Sequence, residues 1–459
     1  MLSILPPADL LDDIARFRAI ARKPVVRSAD LAVKLRYIYQ SLYNADFERY
    51  DPVAVAAAAP RIISDLFDLR VELRESIPDW QTRGLMRNDV QVALRDSFRV
   101  IRYASDMVGE AMTGYARLAP DEAPHRAFTG PGMSTLVNRA FDTGGPLPFR
   151  SGDVIMVRGL RHNSAAIARI GDVDSQFSHV GMVHVDDNGE AWMVEALIED
   201  GAVVTPLADA LGHGIGRAVL LRPRDAELAA RAAALIRDRV GRAVAHGAPI
   251  PYDFSMQMRS YKRLFCSKLV RQAYDHGSGG RVRLPTYPSH FNDNRDFYRR
   301  IGVKTTMTFA PGDLEIEPHF DLVAEWQDYR ATSRVRMQDV LMTKLFEWME
   351  HRDWRFREDL PVILVSVFGQ MSAQLSDRAK ALISSVVPKI PPHMRRRTIA
   401  TIAMLHQTAE PLLARLEALE AERIAATGRP LHPRDAFAFL ETERRNSGGR
   451  IGYLVGPTK

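Results

Sequence analysis

Apolar residues recur at helical spacing over the first quarter of the chain. Leu31–Leu42, Ile62–Leu73 and Val90–Ala116 each carry them at i, i+3, i+4 and i+7, which predicts amphipathic helices. Asp51-Pro52 is a sensible helix start, because proline fits the first turn. The pattern breaks between 121 and 146, where Thr129-Gly130-Pro131-Gly132 and Gly144-Gly145-Pro146 read as a linker. From 147 to 325 the period changes to strands and hairpins, with one helix over Asp225–Arg242 and another opening at Cys266. Gly277-Ser278-Gly279-Gly280 ends the latter, and Thr305–Val323 reads as extended. From 326 to 459 helical spacing returns in Met337–Trp348, Leu360–Leu375, Ser376–Val387 and Arg397–Ala425. The pattern thus predicts a mixed α+β central domain flanked by two all-α regions, with no internal repeat.

Within the central domain, Gln176–Val185 and Glu190–Leu197 form a predicted hairpin. A three-residue loop, Asp187-Asn188-Gly189 with Gly189 left-handed, pairs Asp186 with Glu190 and sets Gly181 opposite Glu195. His179 is then the same-face diagonal neighbour of Glu195. A two-residue Asn188-Gly189 turn would slip the register and send His179 to the other face. Glu195 interrupts an apolar strand, where an unpaired carboxylate is costly to bury. His184, a rival base, alternates onto the opposite face.

Cys266 is the only cysteine. It stands at a predicted helix start after Arg259, Lys262 and Arg263, and helix N-termini and nearby cations both favour thiolate. Cys266, Leu269, Val270 and Ala273 equally form a buried stripe, in which the cysteine would be a small hydrophobe. A nucleophilic cysteine needs a base, and the base an orienting group.

The segments Arg150-Ser151-Gly152-Asp153-Val154, Phe177-Ser178-His179-Val180-Gly181-Met182, Met193-Val194-Glu195-Ala196, Pro251-Tyr252-Asp253 and Phe265-Cys266-Ser267-Lys268-Leu269-Val270, in this order, resemble the circularly permuted, papain-like NlpC-type cysteine hydrolases. The YiiX-like branch, a cousin of the lecithin retinol acyltransferase group, is the nearest in pattern. The resemblance spans roughly 147–325. It implies a permuted papain-like antiparallel sheet with a cysteine helix. It implies Cys266 as nucleophile, His179 as base and Glu195 as orienting group, with Tyr252 and Ser178 on the substrate side. The backbone N–H of Cys266 would donate to an oxyanion. The Asn-Cys-Glu-His type segment of the acyltransferase cousins is absent. The expected activity is therefore cleavage of an amide, peptide or isopeptide bond. Two alternatives stay open: a thioester-forming acyltransferase or lipase on the same triad, and a degenerate domain serving as a scaffold.

Composition narrows the setting. The chain has 459 residues, 46% hydrophobic and 26% charged, with a net charge of +6, which is globular and only mildly basic. The excess arginine is scattered among acids, and the tightest cluster, His393-Met394-Arg395-Arg396-Arg397, lacks interleaved aromatics, so nucleic acid is not an expected partner. One cysteine rules out an intrachain disulfide and suits a reducing compartment. No signal peptide or apolar transmembrane stretch is visible, so the expectation is cytoplasmic. The expected partners are a peptide- or acyl-type substrate and a protein contacted through the helical flanks. No cofactor is expected. Leu211-Gly212-His213-Gly214-Ile215-Gly216 lacks the context of a dinucleotide loop. Glu347, Glu350 and His351 share a helix face but read as solvated, and no metal site is expected.

Overall fold

The computed structural model describes residues 9–119, 121–212, 214–290, 296–358 and 394–457. The expected helices over Leu360–Leu375 and Ser376–Val387 lie outside the described residues, as does His213.

Seven strands form one antiparallel sheet. They are β1 (Thr135–Val137), β2 (Val154–Gly159), β3 (His179–Val185), β4 (Ala191–Leu197), β5 (Gly201–Pro206), β6 (Ile215–Pro223) and, after the short pair β7 (Tyr287–Pro288) and β8 (Met307–Thr308), β9 (Phe320–Gln327). The order across the sheet is β1-β9-β6-β2-β3-β4-β5. β2, at the centre, is buried along nearly its whole length and its neighbour β6 along all of it, Arg158, Arg217 and Arg222 included. The stretch 121–146, expected as a linker, also supplies β1, which pairs with β9 through Thr135–Trp326, Leu136–Glu325 and Val137–Ala324. The stretch Thr305–Val323, expected as extended, instead holds a 3-10 turn over Pro311–Ile316 between β8 and β9.

Two helices cover one face of the sheet. Ala226–Ala245 is capped by Asp225, whose side chain accepts from the Leu228 N–H. Cys266–Gly277 packs beside it, and every residue from Cys266 to Asp275 is buried. The Tyr274 hydroxyl donates to the Gly152 carbonyl at 3.0 Å, fixing the cysteine helix across the start of β2.

The N-terminal region holds long helices over Ser28–Tyr43, Pro52–Glu75 and Asn88–Met112 around their own apolar core. Asp51 caps the second and Pro52 opens it. Beyond β9 come Tyr329–His351, Arg396–Thr427 and Pro433–Asn446. The two flanking regions touch. Tyr115 donates to the Gly428 carbonyl at 2.8 Å, the Arg429 guanidinium donates to the Phe47 and Tyr50 carbonyls, and Arg423 pairs with Glu48 at 3.0 Å.

Much of the arginine that composition left as a scattered excess is inside. Glu325 pairs with Arg70 at 2.9 Å and with Arg102 at 3.2 Å. Arg336 bridges Glu110 at 2.6 Å and Glu420 at 2.8 Å, joining helices from both flanks. Arg217 pairs with Asp106. Isolated, each of these charges would be prohibitive to bury; paired and hydrogen-bonded, they fix how the regions seat on each other. Among the described residues no helix is long and apolar enough to cross a membrane.

Candidate active site

The site starts from the β3–β4 hairpin. Met182 pairs with Val194, Val183 with Met193, His184 with Trp192 and Val185 with Ala191. Continued by one step, this register sets Gly181 opposite Glu195. The loop is the three-residue form: the Asp186 N–H donates to the Glu190 carbonyl, the Gly189 N–H to the Asp186 carbonyl, and Gly189 has φ +82°. The Asp186 carboxylate locks it by accepting from the Asn188 and Glu190 N–H groups and from Trp192 Nε1 at 3.1 Å. Gly181 leaves room on that face: a Cβ there would meet the Met193 side chain at 2.3 Å and lie 3.4 Å from Glu195 Cβ.

In this register His179 and Glu195 share a face, and His179 Nε2 lies 2.7 Å from Glu195 Oε2. Glu195 is buried and His179 about one quarter exposed. Nε2 being taken, Nδ1 is the nitrogen left for Cys266, which lies near enough to raise the ring's pKa. His184 alternates away and takes no part.

The cysteine arrives from the other layer. Phe265 is the N-cap of its helix and no side chain caps it. The first helical bond runs from Leu269 N–H to the Phe265 carbonyl, so the N–H groups of Cys266, Ser267 and Lys268 precede the ladder. The segment before it is pinned twice. Tyr252 bridges Leu264, with Asp253 N–H on the Leu264 carbonyl and Leu264 N–H on the Pro251 carbonyl. Buried Lys268 then pairs with Asp253 at 2.8 Å. Lys268 therefore holds the lead-in loop rather than facing the sulfur as a spare cation.

Electrostatics follow from this packing. Burial disfavours a charged His179 ring, but the hydrogen bonds to Cys266 and Glu195 and their negative charge outweigh it, and its pKa rises to about 10. Burial, and then the neighbouring Cys266 charge, push the Tyr252 phenol well above its ordinary range. Tyr252 is packed edge-on against Phe254, ring centroids 5.0 Å apart, beside the sulfur. Ser178, expected on the substrate side, is turned into the sheet instead. Its hydroxyl accepts from Gly159 N–H at 3.2 Å and is 3.4 Å from the Val157 carbonyl, so β2 consumes it.

Two residues escaped the sequence reading. Glu199, just past β4, is near enough to His179 and Tyr252 to act on the ionisation of both, and Arg161 interacts with Glu199 in turn. Burial raises the pKa of Glu199. Neither residue sits in a motif; the fold alone brings the end of β4 and the turn after β2 to this edge.

Residues 149–315 match the family model described as permuted papain-like amidase enzyme, YaeF/YiiX, C92 family. The central domain is permuted papain-like. That family is one of amidases, and the match falls on the sheet and helix that carry Cys266, His179 and Glu195. Among solved structures, the domain is similar to the metalloprotein yiiX from Escherichia coli O157:H7, at 21% identity and a TM-score of 0.30, over 38% of this chain and 97% of that one. No protein with a curated description matches.

The raised His179 pKa gives a direct expectation. The ring should stay protonated through pH 9 in the native chain and titrate nearer 6.5, the ordinary value, in Glu195→Gln. Because the folded value lies above the unfolded one, this histidine's contribution to stability is complete below about 6.5. It is lost as pH climbs through about 10. An NMR titration of the ring, assigned with His179→Gln, reads the first claim, and a native value near 6.5 would contradict it.

Proposed function

We propose that the permuted papain-like domain is a cysteine hydrolase that cleaves an amide, peptide or isopeptide bond, with Cys266 as nucleophile, His179 as base and Glu195 as orienting group. The observation that supports this reading best is His179 held between Glu195 and Cys266. In the first step the sulfur, its proton already held by His179 as the imidazolium, attacks the substrate carbonyl. The backbone N–H of Cys266, ahead of the helical ladder, stabilises the oxyanion. The imidazolium then gives its proton to the leaving amine as the C–N bond breaks, which leaves a thioester on Cys266. Water, deprotonated by His179, attacks the thioester, and collapse releases the carboxylic acid and the thiol. Glu195 holds the ring in one orientation and stabilises its charge throughout.

An acyltransferase or lipase would want an apolar channel at the sulfur. An apolar cavity lined by Leu42, Tyr43, Val100, Tyr103 and Met107 lies between the flanking helical regions, away from the triad residues.

The test is covalent labelling of Cys266 by iodoacetamide across pH, read by mass spectrometry. Labelling should be fast in the native chain and slow by about tenfold or more in His179→Ala, which removes the proton acceptor. A rate indifferent to His179→Ala, or a thiol inert throughout, would remove the triad reading and favour a scaffold. A stable thioester resolved only by added alcohol or amine would favour acyl transfer.

A further inference from the structure

A second cluster of chemistry-bearing side chains lies where the C-terminal region meets the permuted papain-like domain. β2 ends at Gly159 and turns into the short helix His162–Ile167. His162, at its first position, is buried. Facing it is the helix Arg396–Thr427, on which His406 and Glu410 are four residues apart and so share a face. His162 Nε2 lies 2.7 Å from Glu410 Oε2, and the His162 and His406 rings meet edge-on with centroids 5.4 Å apart. One ligand atom from each of the three residues can be chosen so that all lie within 4.8 Å of one another.

The local polar accounting is incomplete. His162 Nδ1 is buried without a hydrogen-bond partner, so Nε2 is the ring nitrogen that faces the shared carboxylate. Glu410 Oε1 is taken by Arg334 at 2.7 Å, leaving Oε2 as the oxygen shared with His162. The three residues open onto a cavity of about 180 Å³ that Arg161, Asn163 and Gln338 also line. That is room for an ion and several waters, each of which occupies about 30 Å³. Two imidazoles and a carboxylate are a borderline-soft donor set, suited to zinc or a similar divalent transition ion and poorly suited to calcium or magnesium. A tetrahedral zinc with bonds of about 2.0–2.1 Å spaces its ligand atoms about 3.3 Å apart. The His162–Glu410 contact would open slightly and His406 close in, both within reach of side-chain rotation.

We propose that His162, His406 and Glu410 bind one divalent transition-metal ion of the zinc type, with its fourth position open to the cavity, and that the ion clasps the C-terminal helix to the catalytic domain. The clasp lies next to Arg161, which acts on Glu199 at the edge of the active site. It is not part of the proposed hydrolytic triad. The sequence hides it because His162 and Glu410 are 248 residues apart.

The test uses the full chain with Cys266→Ser, so that the triad sulfur cannot hold the metal. After chelator treatment, zinc titrated by calorimetry should bind 1:1 with a Kd of about 1 µM or tighter. The thermal midpoint should rise with added zinc. His406→Ala, and separately Glu410→Gln, should weaken binding by more than about tenfold and abolish the zinc-dependent rise, with an unchanged circular dichroism spectrum. Glu410→Gln is nearly isosteric and keeps the helix face intact, so it guards against misfolding of the alanine variant. The proposal is overturned if the chain binds no zinc at 100-fold above that Kd, or if binding is indifferent to both substitutions. It is also overturned if the substitutions lower the midpoint equally with and without zinc, which would mean an ion pair and nothing more. None of these readouts depends on hydrolysis, so failure here leaves the triad reading standing, and failure there leaves this one.

Discussion

Cys266→Ala is expected to reduce hydrolysis of any amide substrate by about 10³-fold or more while leaving the chain folded. The sulfur is the one atom of the proposed mechanism that no neighbour can replace. Tyr252 is held as a neutral phenol beside it, and Lys268 is committed to Asp253. Cys266 is buried in the main core, so its loss also removes packing, but a small side chain at a helix start costs about 1 kcal/mol. The measurement is turnover of a fluorogenic peptide and isopeptide panel, with circular dichroism and thermal melting as controls. Full turnover by a folded Cys266→Ala chain would exclude the nucleophile assignment. Cys266→Ser separates a missing nucleophile from a missing atom of packing: it should be nearly as inactive and more stable than the alanine variant.

The register that sets His179 beside Glu195 could be counted on paper. Asp187-Asn188-Gly189 offers a left-handed glycine at the third loop position, and only that loop puts a strand carboxylate and a strand histidine on one face. Local chemistry decided it, so the sequence carried it. The permuted papain-like fold was legible for a related reason: its segments are short, ordered and compositionally distinct. Ser178 misled because strand position says which face a side chain takes, not whether a neighbouring strand's backbone will occupy its hydroxyl. Glu199, Arg161 and the His162–His406–Glu410 cluster were invisible because each depends on chain segments meeting across long separations. The buried arginines were invisible too, since Arg158 or Arg217 in a strand looks like any solvated charge until its carboxylate, far away in sequence, is placed beside it.

That network yields the largest stability effect. Asp339 lies in the helix Tyr329–His351 and is fully buried together with Arg158 of β2. Its Oδ1 accepts from Arg158 at 2.8 Å and from Arg169 at 3.0 Å, and its Oδ2 from the Tyr103 hydroxyl of the N-terminal region at 3.0 Å. Burial alone would raise its pKa, but the two guanidiniums outweigh that and hold it below the usual carboxylate range. Asp339→Ala should therefore leave buried Arg158 without a carboxylate and Arg169 with only the more distant Asp174 at 3.9 Å, and cost about 3–5 kcal/mol, read as a lower denaturation midpoint in urea. Replacing Asp339, Arg158 and Arg169 together by apolar residues of similar volume should recover most of the loss, because the cost lies in the uncompensated charge rather than in the missing pair. An alanine variant within 1 kcal/mol of the native chain would mean that water reaches these groups and the network is not sealed. The consequence extends to the site. Arg158 directly follows Val157, whose register partner across the sheet is His179. A β2 edge loosened by unpaired Arg158 should let the histidine strand wander from the cysteine helix. The same variant should then label more slowly at Cys266 at pH 6, although Asp339 touches none of the three triad residues.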